Sequence, residues 1–311
     1  MKNNIYVDEY HRNIAAMPGD ILFHYLQSHM TSGYIMIKRH LFTFTNFNRV
    51  IYFGIAMLFA AAPGSSSASD TPFEAGIQHN LHVFSRVYDT QHQTSFHFGT
   101  NNSLGAYVLR LHRGNRFDQT AYQWEFESYP IISERLYAYA AYAYSDSEIF
   151  PRHRAGAELF SALPWRMEGS VGLRFLDFES ADETIMITTS LSHYFDRYMA
   201  TFRPYFIFSD GGSGQTWQGS IRRFINDEGD YLMIRAAIGR SSDETIFQIG
   251  QAEQRDVLLL KSAQIGAEGR YPIIRNLSGV AAITLYRQEL SFDPGNYVNN
   301  WSFRAGITGH F

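Results

Sequence analysis

The chain has 311 residues, a formal net charge of −4, no cysteine, and 16% aromatic residues led by 25 Phe and 20 Tyr. The lack of cysteine excludes a disulfide framework, thiolate chemistry and cysteine-based metal sites, and the near-balance of charge offers no basic face for a nucleic-acid partner. A mean hydropathy of −0.24 excludes a bundle of membrane helices, each needing about 20 apolar residues in a row, whereas barrel strands alternate faces and dilute their own hydropathy signal.

Residues 1–35 carry Asp8, Glu9 and Asp20, which export signals normally lack, while Met36 opens directly onto Ile37-Lys38-Arg39. We expect 1–35 to be an extension upstream of the true start, with no fold of its own. Residues 36–68 read as a signal peptide. Lys38, Arg39 and Arg49 precede the apolar run Val50 to Ala62, and Pro63-Gly64 and a small-residue tract follow it, with Ser66-Ser67-Ala68 as the cleavage site. A positive region, a short apolar core and a small-residue exit make a secretory signal, too short to span a membrane.

Beyond Ser69 the pattern changes to period 2. Strands are predicted at 73–83, 93–100, 104–113, 119–128, 135–144, 153–161 and 166–177. They continue at 184–194, 198–208, 215–225, 231–239, 257–269, 277–288 and 297–311, separated by Asn, Gly, Pro and Asp turn signals. In 119–128, Tyr122, Trp124 and Phe126 share one face, and Gln123, Glu125 and Glu127 the other. In 166–177, Arg166, Glu168, Ser170, Gly172 and Arg174 oppose Met167, Val171, Leu173 and Phe175. The last strand sets Trp301, Phe303, Ala305 and Ile307 against Ser302, Arg304, Gly306 and Thr308.

Apolar faces toward lipid and polar faces toward a lumen describe an antiparallel transmembrane β-barrel over 69–311, of about 14 strands, with 12 as the nearest alternative. A secreted β-sandwich is the soluble alternative. The connections alternate in length: Asn101-Asn102, 161–166 and Asp196-Arg197 are short, while 145–152, 209–214, 240–256 and 291–296 are long. Short periplasmic turns and longer outer loops give that alternation. The longest predicted loop is Arg240 to Asp256, the first place to expect a binding element. Tyr129, Tyr144, Tyr194, Tyr198, Tyr231 and Tyr271 fall near strand ends, where aromatic girdles sit.

Several stretches carry a family likeness. Ile149-Phe150-Pro151-Arg152-His153-Arg154-Ala155-Gly156-Ala157-Glu158-Leu159-Phe160 and Gly172-Leu173-Arg174-Phe175-Leu176-Asp177-Phe178 resemble the YaiO family of outer-membrane β-barrels. Arg203-Pro204-Tyr205, Arg222-Arg223-Phe224 and Gly239-Arg240-Ser241-Ser242-Asp243-Glu244 extend the resemblance, which covers most of Phe73 to Glu244. It implies an outer-membrane barrel and supplies no activity. The C-terminus also resembles the signal read by the barrel-assembly machinery, with Arg304, Gly306 and Phe311 in its places; Gly309 departs from it, standing where an aromatic is usual.

The polar faces give the candidate site. Arg110, Glu125, Glu127, Glu158, Glu168, Arg174, Arg203, Arg222 and Arg235 are expected to project into the lumen as a charge network. Buried ions are tolerable when paired and hydrogen-bonded, so mixed charges fill and stiffen a narrow barrel; the competing role is a constriction that selects solutes. A lipid-modifying enzyme would need a nucleophile, a base and an orienting group in reach. His193 beside Ser190 and Ser192 is the least implausible set, and no Gly-x-Ser-x-Gly elbow is present. The run Asp210-Gly211-Gly212-Ser213-Gly214 lacks the Lys-Ser or Lys-Thr of a phosphate loop. Asp243, Glu244, Glu253 and Asp256 lack calcium-loop spacing and read as solvated loop charge.

The expectation is therefore a monomeric barrel in the Gram-negative outer membrane with a structural role or a role in permeation of solutes or polysaccharide. No catalytic residue, metal or cofactor is expected. Its expected partners are membrane lipid, lipopolysaccharide and the assembly machinery, not nucleic acid. An enzyme acting on lipid, or an adhesion barrel acting through long loops, are the alternatives.

Overall fold

The computed structural model describes residues 73–311, apart from 87, 117–118, 148, 179–180, 210–211, 227–229, 250–251 and 291–292, and apart from the side chains of 181–182 and 241–259. The expected extension and signal, residues 1–68, lie outside the described residues. Fourteen strands follow in chain order: β1 (Phe73–Phe84), β2 (Gln91–Asn102), β3 (Gly105–Arg116), β4 (Gln119–Ser133), β5 (Leu136–Tyr144), β6 (His153–Leu163) and β7 (Met167–Phe178). Then come β8 (Ala181–Phe195), β9 (Tyr198–Ser209), β10 (Gly212–Phe224), β11 (Tyr231–Ile249), β12 (Ala252–Ile274), β13 (Leu277–Leu290) and β14 (Asp293–His310). Each strand pairs antiparallel with its neighbours in sequence, and β1 pairs with β14, so the sheet closes. Closure removes the edges of the wall, which is what a strand-built membrane span requires, and only the far end of the β11–β12 hairpin runs on beyond its neighbours.

The closing seam runs from Glu74↔His310 to Phe84↔Asn300. At its foot the Phe73 N–H donates to the Phe311 carbonyl at 3.1 Å, and the Phe311 N–H returns the bond to Phe73 at 3.0 Å. Both described ends of the barrel wall therefore lie on one rim, with the turns at 103–104, 134–135, 164–166, 196–197 and 275–276 and with the ends of β10 and β11 that the Ile225 N–H to Asp230 carbonyl bond ties together. In membrane barrels this is the periplasmic rim.

Exposure follows the alternation. Phe98, Leu109, Trp124, Phe126, Val171, Leu173, Phe202, Ile221, Ile234, Ile265 and Phe303 lie exposed on the outer wall, while Gln93, Gln123, Glu125, Thr188 and Arg304 are buried inside. A wall of large apolar side chains around a polar interior is the inverse of a soluble protein, and it suits lipid outside. Pro204 stands mid-strand in β9, where it cannot donate to the ladder; the pairing of β8 with β9 is interrupted there, and the Thr188 hydroxyl donates to the Pro204 carbonyl at 3.1 Å.

Four expectations are corrected. The predicted loop Arg240 to Asp256 is largely strand: β11 and β12 stay paired from Tyr231↔Arg270 to Ile249↔Ala252. The ladder needs only backbone groups, so it continues past the point where alternation of side chains stops. Likewise β10 begins at Gly212 and β14 at Asp293, inside the stretches 209–214 and 291–296 expected as loops. Arg166 belongs to the turn with Trp165, both left-handed at φ 57° and 61°, not to the wet face of β7. Tyr231 and Tyr129 are not girdle residues. Tyr231 is 1% exposed inside the barrel, and Tyr129 packs on the inward Tyr139 at 5.3 Å. Tyr144 and Tyr271 do face outward.

Candidate functional site

All nine residues expected in the lumen are buried inside the barrel, none more than 6% exposed. The structure gathers them into two unequal groups.

The larger group spans β3 to β9. Arg110 and Glu125 are register partners, and the Arg110 guanidinium donates to Glu127 Oε2 at 3.3 Å. Glu125 is held by His112 Nε2 at 2.8 Å and by the Arg154 guanidinium at 3.1 Å. Ser95 Oγ meets the other ring nitrogen of that histidine at 2.7 Å. Glu158 is the centre of the group: Arg174 Nη2 donates to its Oε2 at 2.6 Å, while Arg203 Nη1 and the Ser170 hydroxyl each donate to its Oε1 at 2.5 Å. Glu168 accepts from the Tyr137 hydroxyl at 3.2 Å. Charge-assisted bonds of this kind are the strong class.

Glycines make that centre possible. Gly156 pairs with Arg174, and Glu158 pairs with Gly172, so each charge lies opposite a residue without a side chain. A Cβ on Gly172 would stand 2.8 Å from Cβ of Glu158, and one on Gly156 would stand 2.7 Å from Cδ of Arg174. The space so freed also lets the Arg174 guanidinium sit over the Tyr139 ring at 4.8 Å.

The smaller group lies on β10 to β14. Glu268 accepts from the Tyr231 hydroxyl and from the Arg304 guanidinium. Arg222 stacks over Tyr231 at 4.7 Å, and Arg235 is 5% exposed on the next strand. Neither arginine is brought to any of the four carboxylates expected as partners; the carboxylate near them is Glu268.

Glu268, Arg154, His112, Tyr137 and Tyr231 are missing from the expected network. Three share strand parity with an expected lumen residue, His112 with Arg110, Arg154 with Glu158 and Tyr231 with Arg235, whereas Tyr137 on β5 and Glu268 on β12 have no such companion on their strands. Alternation is the available signal for these three, while a tyrosine at a strand end equally suits an interface girdle. Arg304, a residue of the expected assembly signal, is also an interior ion-pair partner of Glu268. In the same C-terminal signal, a Cβ on Gly306 would meet Cβ of Gln78 at 2.6 Å, and Phe311 stacks on Phe73 at 6.4 Å. His193 lies on the outer wall, stacked on Phe195 at 5.8 Å, while Ser190 and Ser192 are buried on the inner face. That expected set of three is not brought together. No group of three or more metal-ligating side chains occurs among the described residues.

Comparison with known proteins gives a family. The YaiO membrane beta barrel domain matches residues 73–244. No curated protein matches the chain. Among solved structures, a bacterial polysaccharide outer membrane secretin superposes with a TM-score of 0.53 at 8% identity, covering 78% of this chain and 99% of that one. The outer membrane protein OprD from Pseudomonas aeruginosa gives a TM-score of 0.43 at 8% identity, covering 80% and 96%. The KdgM porin gives 0.38 at 9% identity, covering 76% and 99%. At these identities the likeness is one of fold.

Proposed function

The chain belongs to the YaiO family of membrane β-barrels, residing in the outer membrane, and from that premise we propose that its interior charges act as a structural plug that keeps the barrel closed at rest. The observation that supports this reading is burial. A pore-lining arginine or glutamate is wet, yet Glu125 and Glu127 are 1% and 0% exposed and Glu158 is 2% exposed. Their charges are met by arginines on strands one to three places round the wall, so the side chains fill the lumen they line. Pairing of both signs in one network serves stiffness; a selective constriction favours one sign along an open path. Passage of a solute on this reading requires the network to part.

The partners that go with this role are membrane lipid and lipopolysaccharide around the wall, and the assembly machinery at the C-terminal strand. The test is conductance of the refolded protein in a planar bilayer, with wild type beside Glu158→Gln and Arg174→Gln. Silent wild-type protein, with current appearing in the variants, is the expected result. Steady wild-type channels would overturn the plug and make the interior a selective pore.

A further inference from the structure

The β10–β14 side of the lumen holds more positive charge than its carboxylates neutralise. Arg304, Arg235 and Arg222 all interact electrostatically with Glu268. The two oxygens of that carboxylate are already taken by Tyr231 and Arg304. The remaining buried carboxylate of these strands among the described residues, Asp230, sits at the rim with Asn226 and Arg270. Arg235 makes no hydrogen bond or ion pair with the described residues, and its Nη1 is buried. Arg222 has a buried, unpartnered Nε and a long contact of 3.9 Å to Met233 Sδ.

Register brings these groups to one place. Arg222 pairs with Met233, and Met233 with Glu268; Arg235 pairs with Ser220 on one side and Gly266 on the other. Arg235 is thus the diagonal neighbour of Arg222 and of Gln264, a separation of about 7–8 Å between backbones on one face. Both side-chain ends of Gln264 are buried without partners. Ser220 and Gly266 add no bulk beside the guanidinium. Two buried guanidiniums and a free amide, with no carboxylate left for them, lack their counter-charge.

Access is one-sided. On β13 and β14 the inward residues toward the periplasmic rim, Val280, Ala282 and Thr308, are half-buried, whereas Tyr231, Met233 and Glu268 on β11 and β12 are buried, as are Tyr286, Leu290 and Val298 toward the opposite rim. We propose that Arg222, Arg235 and Gln264 form an oxyanion site at the floor of a vestibule open to the periplasm, taking a phosphate or a sugar carboxylate from that side. The guanidinium forks match either oxyanion. The proposal rests on the plugged interior only in that the plug occupies the β3–β9 side and leaves the β10–β14 side to a ligand.

The test uses the full barrel refolded in detergent, with folding checked by heat-modifiable migration. Inorganic phosphate and glucuronate are titrated at matched ionic strength against chloride, followed by calorimetry. Binding of phosphate alone points to a phosphate group, and binding of glucuronate alone to an acidic sugar; either supports the site. Arg235→Gln is expected to weaken binding at least about tenfold, the worth of one bond to a charged group. The outward Arg223→Gln is expected to leave it unchanged. Should Arg235→Gln not fold, Arg235→Lys keeps the charge and loses the fork, and binding again weakens. Folded wild type that binds neither anion, or Arg235 variants with unchanged affinity, would overturn the site. A barrel that is silent in the bilayer and binds no oxyanion sinks this proposal alone; one that conducts and binds sinks the plug alone.

Discussion

Removing Glu158 should reveal how dry the interior is. Glu158→Ala takes away the acceptor of two guanidiniums, Arg174 at 2.6 Å and Arg203 at 2.5 Å, and of the Ser170 hydroxyl. Both arginines are less than 8% exposed, so water does not replace the lost partner. Breaking a buried pair from one side costs about 3–5 kcal/mol, because the remaining charge is stranded. We expect a loss of about that size in reversible guanidinium unfolding from phospholipid vesicles, followed by tryptophan fluorescence. The second arm is a cycle with Arg203→Ala. Removing both partners strands one arginine fewer, so the double variant should be more stable than the summed singles by well over 0.5 kcal/mol, roughly the limit for independent sites. A loss below about 1 kcal/mol for Glu158→Ala, with additive doubles, would mean a hydrated lumen in which pairs are worth no more than at a surface. The plug would then have no energetic basis.

Other outcomes follow from the same geometry. Gly172→Ala should cost about 1–3 kcal/mol in the same unfolding assay, the range for forced overpacking, since its new Cβ meets Cβ of Glu158 at 2.8 Å and a backbone oxygen at 2.9 Å. Gly219→Ala, with nothing within 4 Å of the added carbon, should leave that measurement unchanged. Phe311→Ala should reduce the heat-modifiable barrel recovered from outer membranes while purified protein still refolds in detergent, separating assembly from stability. Replacing 243–256 by a short Gly-Ser turn should leave the unfolding midpoint unchanged, because β10 pairs with β11 only from Gly239 and β13 with β12 only from Ser262.

What could be read from the sequence was set by where lipid imposes a pattern. In 119–128 each residue must choose between hydrocarbon and lumen, and every face assignment there agrees with the observed exposure. At Arg240-Ser241-Ser242-Asp243-Glu244 the sequence alternation fades while the ladder of β11 and β12 continues. A strand without two chemically different faces looks like a loop. The polar residues of the site were legible for the same reason as the strands, as the odd side of an alternation. Their partners were not. That Glu158 meets Arg203, three strands away, as well as Arg174 on the adjacent strand, depends on register and on the empty places at Gly156 and Gly172, and alternation carries neither. Tyr231 shows a third limit: a tyrosine at a strand end suits an interface girdle or the lumen, and only the parity of Met233 and Arg235 sends it inward.

The bonds that join non-adjacent strands bear on time as well as on free energy. Arg203 reaches from β9 to Glu158 on β6, and Arg154 from β6 to Glu125 on β4. Neither chord can form until the intervening strands have been laid beside each other, so both form later than the hairpins they span. Interactions absent from the folding transition state act on the rate of unfolding and leave the rate of folding nearly untouched. These chords would therefore work as a latch: the barrel gathers itself at a pace set by its hairpins, and once closed, it opens slowly.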